Sequence, residues 1–238
     1  MKKEIPNLLT LANLLAGCLG IYYVMQGDLL AASYCIFISL VCDFLDGFVA
    51  RLLQAYSELG KQLDSLADMV SFGVLPSFIL FALVEQSCGT QCSVGIFGFY
   101  KPFMVFSLAL MSAYRLAKFN IDTRQSDQFI GVPTPANGLL VASLPLILHF
   151  QPEFSPYILH FKGLLIYSII MSYLLVAEFP LMAFKFKSWG WGENKMRYLF
   201  LIYCVAILLM LKFAAFPILV VSYIVLSFIL SLLNIKQK

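Results

Sequence analysis

The 238-residue chain is 61% hydrophobic and only 12% charged, with a formal net charge of +3 and a mean hydropathy of +0.87. These values exclude a soluble globular domain and give no basic surface for a nucleic-acid partner, so none is expected. They describe an all-α polytopic membrane helix bundle, with room for about eight spans of roughly 20 residues and none for a separate soluble domain, so that 1–238 forms one integral membrane domain.

Taken in chain order, the apolar blocks predict spans near 6–25, 28–52, 60–84, 98–120, 134–150, 162–184, 197–212 and 214–234. The first has the charged start of a leader but a long apolar run, Asn7 and Asn13 within it, and no clear small-residue cleavage site; it is expected to be a retained helix. The fifth is short and carries Pro135 and Pro145, and the Trp- and Gly-containing stretch from Lys185 to Lys195 reads as a loop. On this layout thirteen of the sixteen Lys and Arg residues fall on one side and three, Lys101, Lys162 and Lys212, on the other. The bias predicts cytoplasmic termini and an even number of spans, and so favours eight over seven. Cys88 and Cys92 fall in an extracytoplasmic loop, where a disulfide and two free thiols are both open readings.

The chemistry lies between the second and third spans, where Asp43-x2-Asp46-Gly47-x2-Ala50-Arg51-x8-Gly60-x3-Asp64-x3-Asp68 runs through otherwise apolar sequence. Charges at bilayer depth cost about 2.5–3.5 kcal/mol each even on the milder insertion scale, which makes such carboxylates functional candidates. Asp43 and Asp46 are three residues apart and Asp64 and Asp68 four, so each pair projects from one helix face. The short polar turn between them predicts antiparallel neighbouring helices with all four acids in one pocket. Clustered carboxylates repel unless cations sit among them; hard oxygen donors suit Mg2+, Mn2+ or Ca2+, and four aspartates suffice for two ions. A two-metal site fits phosphoryl chemistry. Gly47, Ala50 and Gly60 strip bulk from the surface beside the acids, and Arg51 offers a phosphate partner.

This pattern resembles, without departure, the signature of the CDP-alcohol phosphatidyltransferase family. The resemblance implies a membrane enzyme, typically a homodimer with a six-helix core (here 1–184, with two additional helices in 185–238), that moves a phosphatidyl group from a CDP-linked lipid to an alcohol and releases CMP. It implies two divalent cations, Mg2+ or Mn2+, held by Asp43, Asp46, Asp64 and Asp68, with Asp68 also the general base. Asn7, Asp46, Gly47, Ala50, Arg51, Ser57 and Gly60 would meet CDP-diacylglycerol. The segments Arg115-Leu-Ala-Lys-Phe-Asn120 and Phe129-Ile-Gly-Val-Pro-Thr-Pro-Ala136, with the start of the first span, look like the phosphatidylserine synthase branch. That branch implies serine as acceptor, with Arg115 and Asn120 on its side of the pocket, and with the charge bias, which also sets the aspartates on the cytoplasmic side, the expectation is an inner-membrane enzyme. Glycerol phosphate or an inositol phosphate is the rival acceptor, and a divalent-cation transporter the rival class.

Overall fold

A computed structural model describes residues 4–88, 100–121, 129–178, 180–181 and 191–232. Helix α1 is Glu4–Met25, α2 Leu29–Leu52, α3 the long rod Glu58–Cys88, α4 Ser107–Ile121, α5 Thr134–Phe150, α6 Phe161–Val176, α7 Trp191–Leu211 and α8 Ala215–Leu232. A 3-10 segment, Lys101–Phe106, leads into α4. These helical segments fall where spans are expected. By length and composition four stretches can cross a membrane: Glu4–Met25, Leu29–Leu52, Glu58–Cys88 and Tyr198–Ile229. The bent pair Pro152–Ile158 and Phe161–Val176 makes up to five, and Thr134–Phe150 is a shorter apolar helix. Leu8, Leu11, Leu15 and Leu19 form an exposed apolar stripe on α1, and Ile166, Ile169, Ile170 and Tyr173 a second on α6. Surfaces of this kind suit lipid rather than water, and the chain is an integral membrane protein.

Two expected boundaries shift. Residues 191–195, expected in a loop, form the polar first turns of α7, whereas 185–190 and Cys92 lie outside the described residues. The sixth helix stops at Val176 instead of 184, where Ala177 turns to extended backbone and Pro180 pairs, as Pro180–Leu181, antiparallel with Phe129–Ile130. Proline has no N–H with which to extend the helical ladder. Cys88 is disulfide-bonded.

The middle of α3 is wound as a π-helix, Met69–Val74, directly after Asp68. It forms the centre of the bundle: Ser71, Phe72 and Gly73 are fully or nearly fully buried, and α1, α4 and α5 all pack on it. Glycines set the close approaches. A Cβ on Gly17 of α1 would lie 2.6 Å from Ser71 Oγ and 3.1 Å from Ser71 Cα, and one on Gly138 of α5 would lie 3.1 Å from Phe72 Cδ1. Gly17→Val is therefore expected to lower thermal stability in detergent, by about 1–3 kcal/mol as for other overpacked cores; an unchanged melting temperature would show that α1 and α3 can separate freely.

The turn between α2 and α3 is short, with Gln54 at φ 49° and Ser57 capping α3 by accepting from the Gly60 N–H at 3.0 Å. The two aspartate-bearing helices nevertheless do not pack side by side as the short turn suggests. Both lean on α1, and α2 scarcely touches Glu58–Asp68. The carboxylates and small residues therefore face each other across open space, with α1 closing one side.

Candidate active site

Two cavities flank the aspartates. The first, about 220 Å³, is lined by Pro6, Asn7 and Thr10 of α1, Asp46, Gly47 and Ala50 of α2, Ala55, Tyr56 and Ser57 of the turn, and Gly60, Lys61 and Asp64 of α3. The second, about 300 Å³, is lined by Asp43, Lys61, Asp64, Ser65, Asp68, Arg115, Leu116, Phe119, Asn120, Pro133, Thr134 and Pro135. Asp64 and Lys61 belong to both walls.

Of the residues expected to meet the nucleotide, Asn7, Asp46, Gly47, Ala50, Ser57 and Gly60 all line the first cavity. Arg51 does not; it lies exposed in the last turn of α2. Small residues beside membrane helices often serve only close packing. At Gly47 that is not the case, because a Cβ there would have nothing within 4 Å. Gly60 is different: its Cβ would lie 3.2 Å from Asn7 Oδ1, so glycine lets the start of α1 approach α3.

Asp43, Asp64 and Asp68 each offer one carboxylate oxygen, and these atoms lie within 4.8 Å of one another. Asp64 Oδ1 is buried with no hydrogen-bond partner. Burying an unsatisfied carboxylate oxygen beside two other acids is costly unless a cation meets it. The three hard oxygen donors thus fit a divalent metal ion. Asp46 stands outside this group. Its Oδ2 accepts a 2.6 Å hydrogen bond from Thr10 Oγ1, which also lies 3.1 Å from Pro6 O, and this fixes the carboxylate in the wall of the first cavity.

Thr10 and Asn13 are site residues that the motif did not reveal. Asn13, fully buried, donates from Nδ2 to Asp68 Oδ1 at 3.1 Å. Its own carbonyl oxygen accepts from both Ser39 Oγ and Ser71 Oγ, at 3.2 and 3.0 Å, so α1 is locked to α2 and α3 at the level of the acids. The signal available in the sequence is the run Pro6, Thr10, Asn13, Gly17 on one face of an apolar helix, a small and polar stripe that turns inward.

Arg115 and Asn120 of α4 both reach the second cavity. Arg115 is 8% exposed and its Nε has no hydrogen-bond partner. Asn120 is engaged with α3: its Nδ2 donates to Ser65 Oγ at 2.9 Å, while Lys61 Nζ donates to its backbone oxygen at 2.8 Å. Lys118 instead pairs with Glu178 beyond the end of α6.

The arrangement is a carboxylate cluster shared by two cavities, one walled by small residues and one holding a buried arginine. Comparison with known proteins gives the family. Residues 3–176 match the CDP-alcohol phosphatidyltransferase family. The chain is 34% identical to a CDP-diacylglycerol--serine O-phosphatidyltransferase of Helicobacter pylori over 78% of its own length and 74% of that protein's. It is 32% identical to the enzyme of the same name from Bacillus subtilis, over 76% and 91%. An archaetidylserine synthase of Methanothermobacter thermautotrophicus is 31% identical over 60% and 58%. With a match spanning most of its length and relatives aligned over three quarters of it, the chain belongs to the CDP-alcohol phosphatidyltransferase family.

Proposed function

We propose that the protein transfers the phosphatidyl group of CDP-diacylglycerol to the hydroxyl of L-serine, giving phosphatidylserine and CMP. The observation that carries this reading is the position of Asp64, on the wall of both cavities and within the Asp43, Asp64 and Asp68 cluster. The first cavity takes the cytidine diphosphate, between the Asn7 and Thr10 face of α1 and the open floor at Gly47. The second takes serine.

Asp43, Asp64 and Asp68, with Asp46 beside them, are the residues that would hold two divalent cations, which when bound neutralise the diphosphate and the charge gathering on departing CMP. Asp68 lines the serine cavity and has one oxygen held by Asn13, and its carboxylate takes the proton from the serine hydroxyl. As that proton leaves, the serine oxygen forms a bond to the phosphorus bearing diacylglycerol. The bond from this phosphorus to the oxygen of CMP breaks, and its electron pair departs with the nucleotide. Thr10 keeps Asp46 pointed at the donor cavity, and Arg115 supplies positive charge on the serine side.

The acyl chains stay in the bilayer, and the Lys and Arg bias supports a reading with the cavities and both termini on the cytoplasmic side of the inner membrane. A homodimer, as in the family, is part of the proposal. The serine preference is supported by the names of the relatives, including one whose name carries a different lipid but again serine.

A cation path would need polar groups continuing past Asp68. Ser71 Oγ is spent on Asn13 O and Ser77 Oγ on Gly73 O, and Phe72, Leu75 and Ile79 are fully buried around them. These contacts favour a closed enzyme site over a transporter. The test is a panel of radiolabelled acceptors with CDP-diacylglycerol and the purified protein in detergent with Mg2+ or Mn2+. Lipid product from serine is expected; product from glycerol phosphate or an inositol phosphate alone would overturn serine as the acceptor.

A further inference from the structure

The serine cavity has a wall that the signature motif does not describe: the first turn of α5. Thr134 there is fully buried, lines the cavity, and has an Oγ1 with no hydrogen-bond partner. The same cavity is lined by Arg115, more than nine-tenths buried, with Nε also unpartnered. Two buried donors left unpaired in the lining of one cavity are costly unless a ligand meets them. Pro133 precedes the helix and makes no side-chain cap, so the positive end of the α5 dipole is uncovered on this side. One turn further in, Asn137 is fully buried; its Oδ1 accepts from Tyr167 at 2.7 Å while its Nδ2 stays unpaired.

The backbone that delivers Thr134 is pinned. Gly131 has φ 73°, and a Cβ on it would lie 2.8 Å from Leu175 O and 3.0 Å from Ala177 O. The Val132 N–H donates to Leu174 O at 3.1 Å. The stretch before α5 is thus sewn to the end of α6, and Thr134 is presented from a fixed position.

We propose that Thr134 and Arg115 form a clamp for the carboxylate of an α-amino-acid acceptor, each donating one hydrogen bond to it, so that Thr134 is a specificity-determining residue. Both residues line the cavity that Asp68 also lines, so an acceptor whose carboxylate is held by the clamp has its hydroxyl within the same cavity as Asp68. An amino alcohol without a carboxylate leaves both donors unpaired and is discriminated against for that reason. A hydroxyl that hydrogen-bonds a charged group in a buried site contributes about tenfold or more in selectivity.

This inference rests on serine being the acceptor, and its test separates the two. Phosphatidyl transfer to serine and to serinol, its analogue with a second hydroxymethyl in place of the carboxylate, is measured for wild type, Thr134→Val, Thr134→Ser and Arg115→Lys. The serine-to-serinol ratio of kcat/KM is expected to fall about tenfold in Thr134→Val and to return to within about threefold of wild type in Thr134→Ser. Arg115→Lys, which lacks the guanidinium Nε–H, is expected to lower the same ratio, and it carries the test if Thr134→Val does not fold. Equal losses on serine and serinol, or a Thr134→Ser variant no better than Thr134→Val, would overturn the clamp while leaving the serine reading intact. Absence of phosphatidylserine with the wild-type protein would overturn the serine reading, and the clamp with it.

Discussion

Asp68→Asn is expected to slow CMP release from CDP-diacylglycerol and serine by about 100-fold to 10,000-fold, the range over which a positioned general base contributes. The substitution keeps the size of the side chain and an oxygen that can still accept from Asn13, which lies 3.1 Å from Asp68 Oδ1, so the packing of α1 on α3 is retained. What is lost is the second oxygen's capacity to take a proton. Asp68 also belongs to the carboxylate cluster, and the two roles are separable by titrating the metal. If only cation affinity were lost, raising Mn2+ would restore the rate; with the base gone, saturating metal leaves it low. Near-normal CMP release by purified Asp68→Asn with Mg2+ or Mn2+ would remove Asp68 from the proton-transfer role.

Helix positions were legible because apolar run length and polar breaks are set by the bilayer. Even the fifth segment, with a proline inside it, lies at Thr134–Phe150, since Pro135 falls in the first turn, where an N–H is dispensable, and Pro145 is absorbed by a buried, well-packed stretch. The π-wound stretch Met69–Val74 was not legible. Its sequence is ordinary, and its winding accompanies contacts with Gly17, Ser112 and Phe72's partner Gly138, which come from three other helices. Such contacts leave no trace in a local pattern.

The four aspartates were legible as a group but not in their grouping. Helical spacing pairs Asp43 with Asp46 and Asp64 with Asp68; in the folded chain Asp43 joins Asp64 and Asp68, while Asp46 turns to Thr10. The reason is the wedge between α2 and α3. Because the helices lean on α1 and scarcely touch each other, residues three apart on α2 reach different cavities. Thr10 and Asn13 escaped for a related reason: their partners are 36 and 55 residues away, and within α1 they look like isolated polar interruptions. Arg51 shows the converse. Its place in the motif suggests a phosphate contact, yet the last turn of α2 carries it outside both cavity walls.

The wedge also makes Asp64 the residue whose loss reaches furthest. Asp64→Asn replaces one carboxylate oxygen with an amide nitrogen that cannot ligate a cation, and it does so on the wall common to both cavities. The remaining pair, Asp43 and Asp68, keeps its oxygens within the same 4.8 Å cluster but lacks the third charge. Removing a hard ligand from a site that stabilises phosphoryl charge forfeits several kcal/mol, so transfer is expected to fall by about 100-fold or more. The loss should be the same for serine and serinol, and the concentration of Mn2+ giving half-maximal CMP release should rise. Asp46→Asn is expected to behave differently. Asp46 lines only the donor cavity and is held by Thr10, so its main effect falls on KM for CDP-diacylglycerol, with a smaller change in the metal titration. Metal titrations of CMP release for the two variants side by side decide the matter. An Asp64→Asn protein with the wild-type metal dependence would mean that the cluster holds no catalytic cation at this position, and that the shared wall serves the two substrates in some other way.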